Sequence, residues 1–195
     1  MVPLSFAQRR LWFLYRFTGP SATYNIPVVL RLRGSLGVEA LGAAIRDVVL
    51  RHDCLRTLIG EDESGTAFQR VLPPGEVTLD IPLVRVRPED EAAAIAEVIE
   101  HPFDLGTEIP VRARVLRRSD EEHVLALVIQ HIAADGGSVA PFIRDLTTAY
   151  TARLSGGAPD WTPLPVRYVD YTLWQRELLG EESDEDSVLA RQVRY

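Results

Sequence analysis

Val124-Leu125-Ala126-Leu127-Val128-Ile129-Gln130-His131-Ile132-Ala133-Ala134-Asp135-Gly136 is the stretch on which the fold of this chain turns. Its first six residues are uniformly apolar over a strand's length and read as a buried strand. His131 stands where that strand gives way to a loop, and the loop closes on Asp135, Gly136 and Gly137 before a long helical pattern begins at Ser138. Glycines in that position signal a sharp turn. A histidine at the end of a buried strand is placed to work as a general base. An aspartate four residues later, beside two glycines, is placed to brace the turn beneath it.

Working outward, Val111–Leu116 and His123–Gln130 flank the polar turn Arg117-Arg118-Ser119-Asp120 and are expected to pair antiparallel. Ser138–Arg153 reads as a helix closed by Ser155-Gly156-Gly157. Upstream, Ser5–Tyr15 is helical, with Ser5 as cap and Gln8 as its capping-box partner. Ile26–Leu32 is strand-like, with Pro27 near its start. Ser35–Leu50 is an amphipathic helix, and Leu55–Ile59 and Phe68–Leu72 pair across the turn at Glu61–Gly65. Thr78–Val86 is a further apolar strand interrupted by Pro82, and Pro88–Glu100 is a helix with Pro88 at its first position. After an extended connector, Tyr168–Leu179 is helical. The expected fold class is α/β, an α+β sandwich with a mixed, mostly antiparallel sheet covered by helices. Residues 1–180 form the lobe, and 181–195 are an acidic linker and the start of a further helix.

Composition narrows the function classes. The net charge is −7 and the pI about 5.1, which argues against nucleic acid as a partner, because phosphate binding needs a basic face. All 21 basic side chains are arginine. The single cysteine, Cys54, excludes an intramolecular disulfide, suits a reducing cytoplasm and reads as a buried structural thiol. No stretch approaches the roughly 20 apolar residues of a membrane span, and Met1-Val2-Pro3-Leu4 does not open a secretory signal.

Four segments, in order, resemble the motifs of nonribosomal peptide synthetase condensation domains, members of the chloramphenicol acetyltransferase-like superfamily. They are Leu4–Leu14 (LSFAQRRLWFL), Arg51–Thr57 (RHDCLRT), Gln130–Gly136 (QHIAADG) and Tyr168–Gln175 (YVDYTLWQ). The third holds the H-x-x-x-D-G signature, and the wording resembles the subtype that joins an L-donor to an L-acceptor. The resemblance implies a chloramphenicol acetyltransferase-like lobe, the N-terminal one of two, and amide formation between two thioesters. Donor and acceptor peptidyl carrier proteins would deliver their substrates on phosphopantetheine arms, with no cofactor bound by the domain itself. The other implied partners are a C-terminal lobe and neighbouring synthetase domains, with no nucleic acid and no membrane, in the cytoplasm. Without the second lobe, the 195-residue chain is expected to be inactive.

The resemblance gives His131 the catalytic place, Asp135 structural support and the Gly136 or Gly137 N–H an oxyanion role. Two positions depart from the family pattern. Gln130 stands where a first histidine is usual, and Gly137 where an aromatic is common; loss of that bulk widens the site or loosens the loop. Arg56 is the expected partner of Asp135, since a buried carboxylate needs a cation. His52 is read as structural, Trp12, Tyr171 and Trp174 as core aromatics, Arg9 and Arg10 as a solvated face, and His101 and His123 as without a role. Two other readings stay open at this point: a non-catalytic docking or gatekeeping module, and a related epimerisation domain or coenzyme A-dependent acyltransferase.

Overall fold

A computed structural model describes residues 1–180 and 183–194. The main sheet has four strands in the order β2 (Asn25–Arg33), β7 (Glu122–Gln130), β6 (Val111–Arg117) and β5 (Leu83–Arg85). β7 is central and antiparallel to both neighbours, and the short β5 runs parallel to β6. A second sheet joins β1 (Val2–Pro3), β4 (Ala67–Val71) and β3 (Thr57–Glu61).

The apolar run of β7 is explained by cover on both faces. Leu125, Leu127 and Ile129 point into a core with Ile45, Val48 and Val49 of α2 (Val38–Arg51) and Phe142, Leu146 and Ala149 of α4 (Val139–Leu154). The alternate residues Ala126 and Val128 pack with Val98 of α3 (Glu91–Ile99), Phe103 and Leu105, and with Leu11 and Trp12 of α1 (Phe6–Thr18). Because strand side chains alternate, a strand covered on both sides can spare no polar position.

The expected elements form, with boundary shifts that have local causes. α1 begins at the expected Ser5–Gln8 capping box: Ser5 Oγ accepts from Gln8 N at 3.1 Å and Gln8 Oε1 from Ser5 N at 3.0 Å. α2 starts three residues later than expected, after Gly37, whose N–H is taken by the Tyr150 hydroxyl of α4 at 3.1 Å in place of a side-chain cap. Leu55 belongs to a 3-10 turn, Asp53–Arg56, closed by Thr57 Oγ1 donating to Asp53 O at 2.7 Å; the strand begins only at Thr57. The expected strand Thr78–Val86 shrinks to Leu83–Arg85, since Pro82 has no N–H to give a ladder. The helix expected from Pro88 starts at Glu91 instead, because Arg87–Asp90 is a turn in which the Asp90 carboxylate accepts from Arg87 at 2.7 Å. α5 spans Tyr168–Leu179 as expected, and α6 (Val188–Val193) follows. Of the acidic stretch 181–186, positions 183–186 are exposed; positions 181 and 182, like position 195, lie outside the described residues.

Candidate active site

β7 delivers the site. Its last residue, Gln130, is 5% exposed, and its side chain stays inside the fold, where Oε1 accepts the Ile132 N–H at 2.5 Å. The turn is tied further by Ala133 N donating to Gln130 O at 2.9 Å and His131 N donating to Tyr24 O at 2.8 Å. With Gln130 and Ile132 pointing inward, His131 between them is turned out to solvent.

Its ring is held by one bond, between Nδ1 and the Ala134 carbonyl oxygen at 2.8 Å. A carbonyl only accepts, so Nδ1 carries the hydrogen. In the neutral ring Nε2 then has the free lone pair. Among the described residues, no protein group occupies Nε2. The backbone thus fixes the orientation of the ring and, in its neutral form, the tautomer, with Nε2 left facing outward.

Asp135 caps the next turn. Its Oδ1 accepts from Ser138 N at 3.0 Å and Ser138 Oγ at 2.7 Å, while Ser138 Oγ accepts the Asp135 N–H at 3.1 Å. Gly136–Ser138 forms a 3-10 turn that runs directly into α4. The Ser138 hydroxyl above all, with the Ser138 and Gly137 N–H groups, holds the Asp135 carboxyl below the usual carboxylate range. Asp135 therefore remains an anion at neutral pH and shapes the loop through bonds to its own neighbours. The expected pairing with Arg56 is not made. Arg56 is turned towards its own segment and donates to Asp53 Oδ1, the Leu72 carbonyl and the Leu50 carbonyl. Asp135 is largely exposed, so it needs no buried cation.

The four motif segments nevertheless meet. Gln8 Nε2 lies 3.5 Å from the Ile132 carbonyl and 3.4 Å from Gln69 Oε1, and Gln69 Nε2 donates to Thr172 Oγ1 at 3.2 Å. Ser5 Oγ and the Tyr168 hydroxyl are 2.8 Å apart. These buried polar groups link α1, β4 and α5 to the turn that carries His131. Gln8 was legible only as a helix cap and Gln69 not at all, because their second partners are far away in sequence. The RHDCLRT segment (Arg51–Thr57) reaches the site from another side. His52 Nε2 bonds Asp145 Oδ2 of α4 at 2.9 Å, and Arg51 Nε bonds the same oxygen at 3.1 Å. Arg51 also donates to the Thr162 carbonyl at 3.0 Å and lies over the Trp161 ring at 4.8 Å. His52 thus has the structural place expected of it.

Two aromatic assignments are corrected. Trp12 packs into the core under α3, but Trp174 is 57% exposed and Tyr171 38%. Both stand on the outer face of α5, whose inward side is carried by Val169 and Thr172. His101, given no role from sequence, bonds Glu108 at 2.9 Å and edges against Phe103.

A family model described as "Condensation domain" matches residues 1–187. The chain is 53% identical over 197 residues to the isonitrile lipopeptide synthase of Mycobacterium tuberculosis, covering 100% of this chain and 8% of that protein. It is 45% identical over 194 residues to the dimodular nonribosomal peptide synthase of Bacillus subtilis, covering 100% of this chain and 8% of that protein. Among solved structures, the complex of the X-domain and OxyB from teicoplanin biosynthesis superposes with a TM-score of 0.89 at 38% identity, covering 99% of this chain and 42% of that chain. The chain therefore spans less than a tenth of those two synthetases and under half of that solved chain.

Proposed function

The chain belongs to the condensation-domain family of nonribosomal peptide synthetases, and from that premise we propose that it carries the active-site histidine of an amide-forming domain. The observation that supports this most is the ring of His131, exposed and held by Ala134 O through Nδ1, which leaves Nε2 open to a substrate.

In this reading residues 1–180 are one lobe of the domain, and a second lobe completes the substrate tunnel. The acceptor's neutral α-amine attacks the donor's thioester carbonyl. A C–N bond forms, the carbonyl electrons move to oxygen, and collapse expels the donor arm's thiol. The attacking nitrogen gains a positive charge and gives up one proton to Nε2 of His131, which orients the amine before attack and passes the proton on to the departing sulfur. The oxyanion donor of this reading is the N–H of Gly136, whose missing side chain leaves room for a close approach. Asp135 acts through the loop, as a positioning residue. Donor and acceptor carrier proteins present the substrates, and the L-to-L subtype follows from the motif wording.

A second reading is favoured by the resemblance to a domain solved in complex with OxyB: a docking module that recruits another protein. The two separate in a single-turnover assay on the synthetase carrying this chain, with loaded donor and acceptor carriers and intact-mass detection. Amide formation that falls at least a hundredfold in His131→Ala supports catalysis, the order expected when a positioned acid–base group is lost. Absence of transfer by the wild type with matched carriers would favour docking.

A further inference from the structure

A cavity of about 240 Å³ opens beside the His131 loop. It is walled by Leu55, Ile129, Pro141 and Phe142, and by Ala133 and Gly137 of the loop itself. Ala134 also lines it, and the carbonyl of that same residue holds the His131 ring, so cavity and catalytic nitrogen share one piece of backbone. The volume is below the roughly 300–1,000 Å³ of sites that enclose a whole small molecule. It suits a side chain.

The chemistry of the walls is specific. Ser138 Oγ is occupied by Asp135, and His52 Nε2 by Asp145. Burial pushes the Cys54 thiol up to about 11, so it stays neutral. A polar or charged group entering here leaves water for walls whose own polar atoms are largely committed, which is unfavourable. An apolar group meets carbon on most sides.

Gly137 lines this space. A Cβ placed on it meets only Asp135 Oδ1, at 3.4 Å, and its φ is not positive, so glycine is not required there by the backbone. Glycine leaves that part of the lining without a side chain.

Resting on the amide-forming reading above, we infer that this cavity receives the apolar side chain of one of the two aminoacyl substrates, and that Gly137 determines how large that side chain can be. The chemistry is the same whether the side chain arrives on the donor or on the acceptor.

The test uses the synthetase carrying this chain, in single-turnover transfer with glycyl, alanyl, leucyl and phenylalanyl carriers. The acceptor is varied with the donor fixed, then the reverse, which tells the two sources apart. Wild type, Gly137→Leu and Cys54→Leu are compared, the last filling the cavity from the opposite wall. The expected result is a fall of tenfold or more in the leucyl-to-glycyl rate ratio in both variants, on one side of the reaction only. Calorimetric titration with leucyl- and glycyl-pantetheine amides gives a readout independent of turnover, and the leucyl preference of the wild type should vanish in both variants. Equal losses for all side chains, or unchanged ratios, would overturn the inference. If the wild type transfers nothing yet prefers the leucyl amide, the amide-forming reading fails and the cavity assignment stands. If it also shows no leucyl preference in binding, both fall.

Discussion

At the scale of single residues, the departure at Gln130 is taken up by the turn. Its buried Oε1 takes the Ile132 N–H, a donor that would otherwise be unpaired inside the protein. Gln130→Ala should therefore destabilise the fold by about 1–3 kcal/mol, the range for stranding a buried polar group. Gln130→His, which restores an acceptor in the same place, should lose less than half of that. Urea unfolding of the three proteins checks both; an alanine variant as stable as wild type would remove the turn-holding role. The contrast with Asp135 shows what sequence can and cannot supply here. His131, Asp135 and the glycines were legible because their spacing is local, and a strand end followed by a tight turn needs those residue types. Which partner Asp135 takes was not. Arg56 is the expected partner of a buried Asp135, whereas the carboxylate is exposed and satisfied three residues away by Ser138. Burial is a property of the whole fold, and the spacing of one motif does not encode it.

Among elements, the same division holds. α5 was read to the residue and the β6–β7 pair within one or two residues, since period and turn chemistry are written in neighbouring positions. α2 and α3 start later than the sequence suggests because a distant hydroxyl, Tyr150, takes the Gly37 N–H, and because Arg87 draws the Asp90 carboxylate into the turn before α3. The packing of α2 on α4 also has ionic parts that no periodicity reveals. Arg153 grips Asp47 with two bonds, at 2.6 and 2.7 Å, and Asp145 accepts from Arg51 and His52. Burial works against the charge on Asp145, but the His52 and Arg51 bonds outweigh it and hold its carboxyl below the usual range. A carboxylate with a lowered folded pKa contributes stability above its unfolded value, about 3.9, and loses it as pH falls through the folded pKa. Asp145→Asn should thus cost about 2 kcal/mol near neutral pH, between the values for exposed and fully buried pairs. That corresponds to roughly 4–8 °C in Tm for a chain of this size. The gap between wild type and variant should close as pH falls below about 4, where Asp145 takes up a proton. A gap that widens in acid would show that the charge on Asp145 is not what joins the two helices.

The whole molecule carries a contrast between a dry, doubly covered strand and an outer surface that keeps large apolar side chains in water. Phe13 and Phe17 on α1 are 67% and 81% exposed, and Trp174 and Leu178 on α5 are 57% and 55%. The N-terminal end of α1 is held along α5, where Phe6 N donates to Gln175 Oε1 at 3.2 Å and Ser5 meets Tyr168. Isolated exposed apolar residues are ordinary, but several aromatic ones on adjoining helices mark a surface meant to be covered. The proposed second lobe is one occupant; for the 195-residue chain on its own, the available occupant is another copy. The chain should therefore self-associate at tens of micromolar, visible as concentration-dependent sedimentation. Phe17→Ser with Trp174→Ser should return it to a monomer. Both side chains are more than half exposed, so the substitutions remove little buried area, and the monomeric variant should keep its Tm within about 2 °C, in line with surface changes of roughly ±0.5 kcal/mol. The net charge of −7 opposes association at low salt, so the effect should strengthen as salt screens it. A wild-type chain that sediments as a monomer at every concentration and salt level would mean that these aromatics are tolerated in water, and that the face needs no partner.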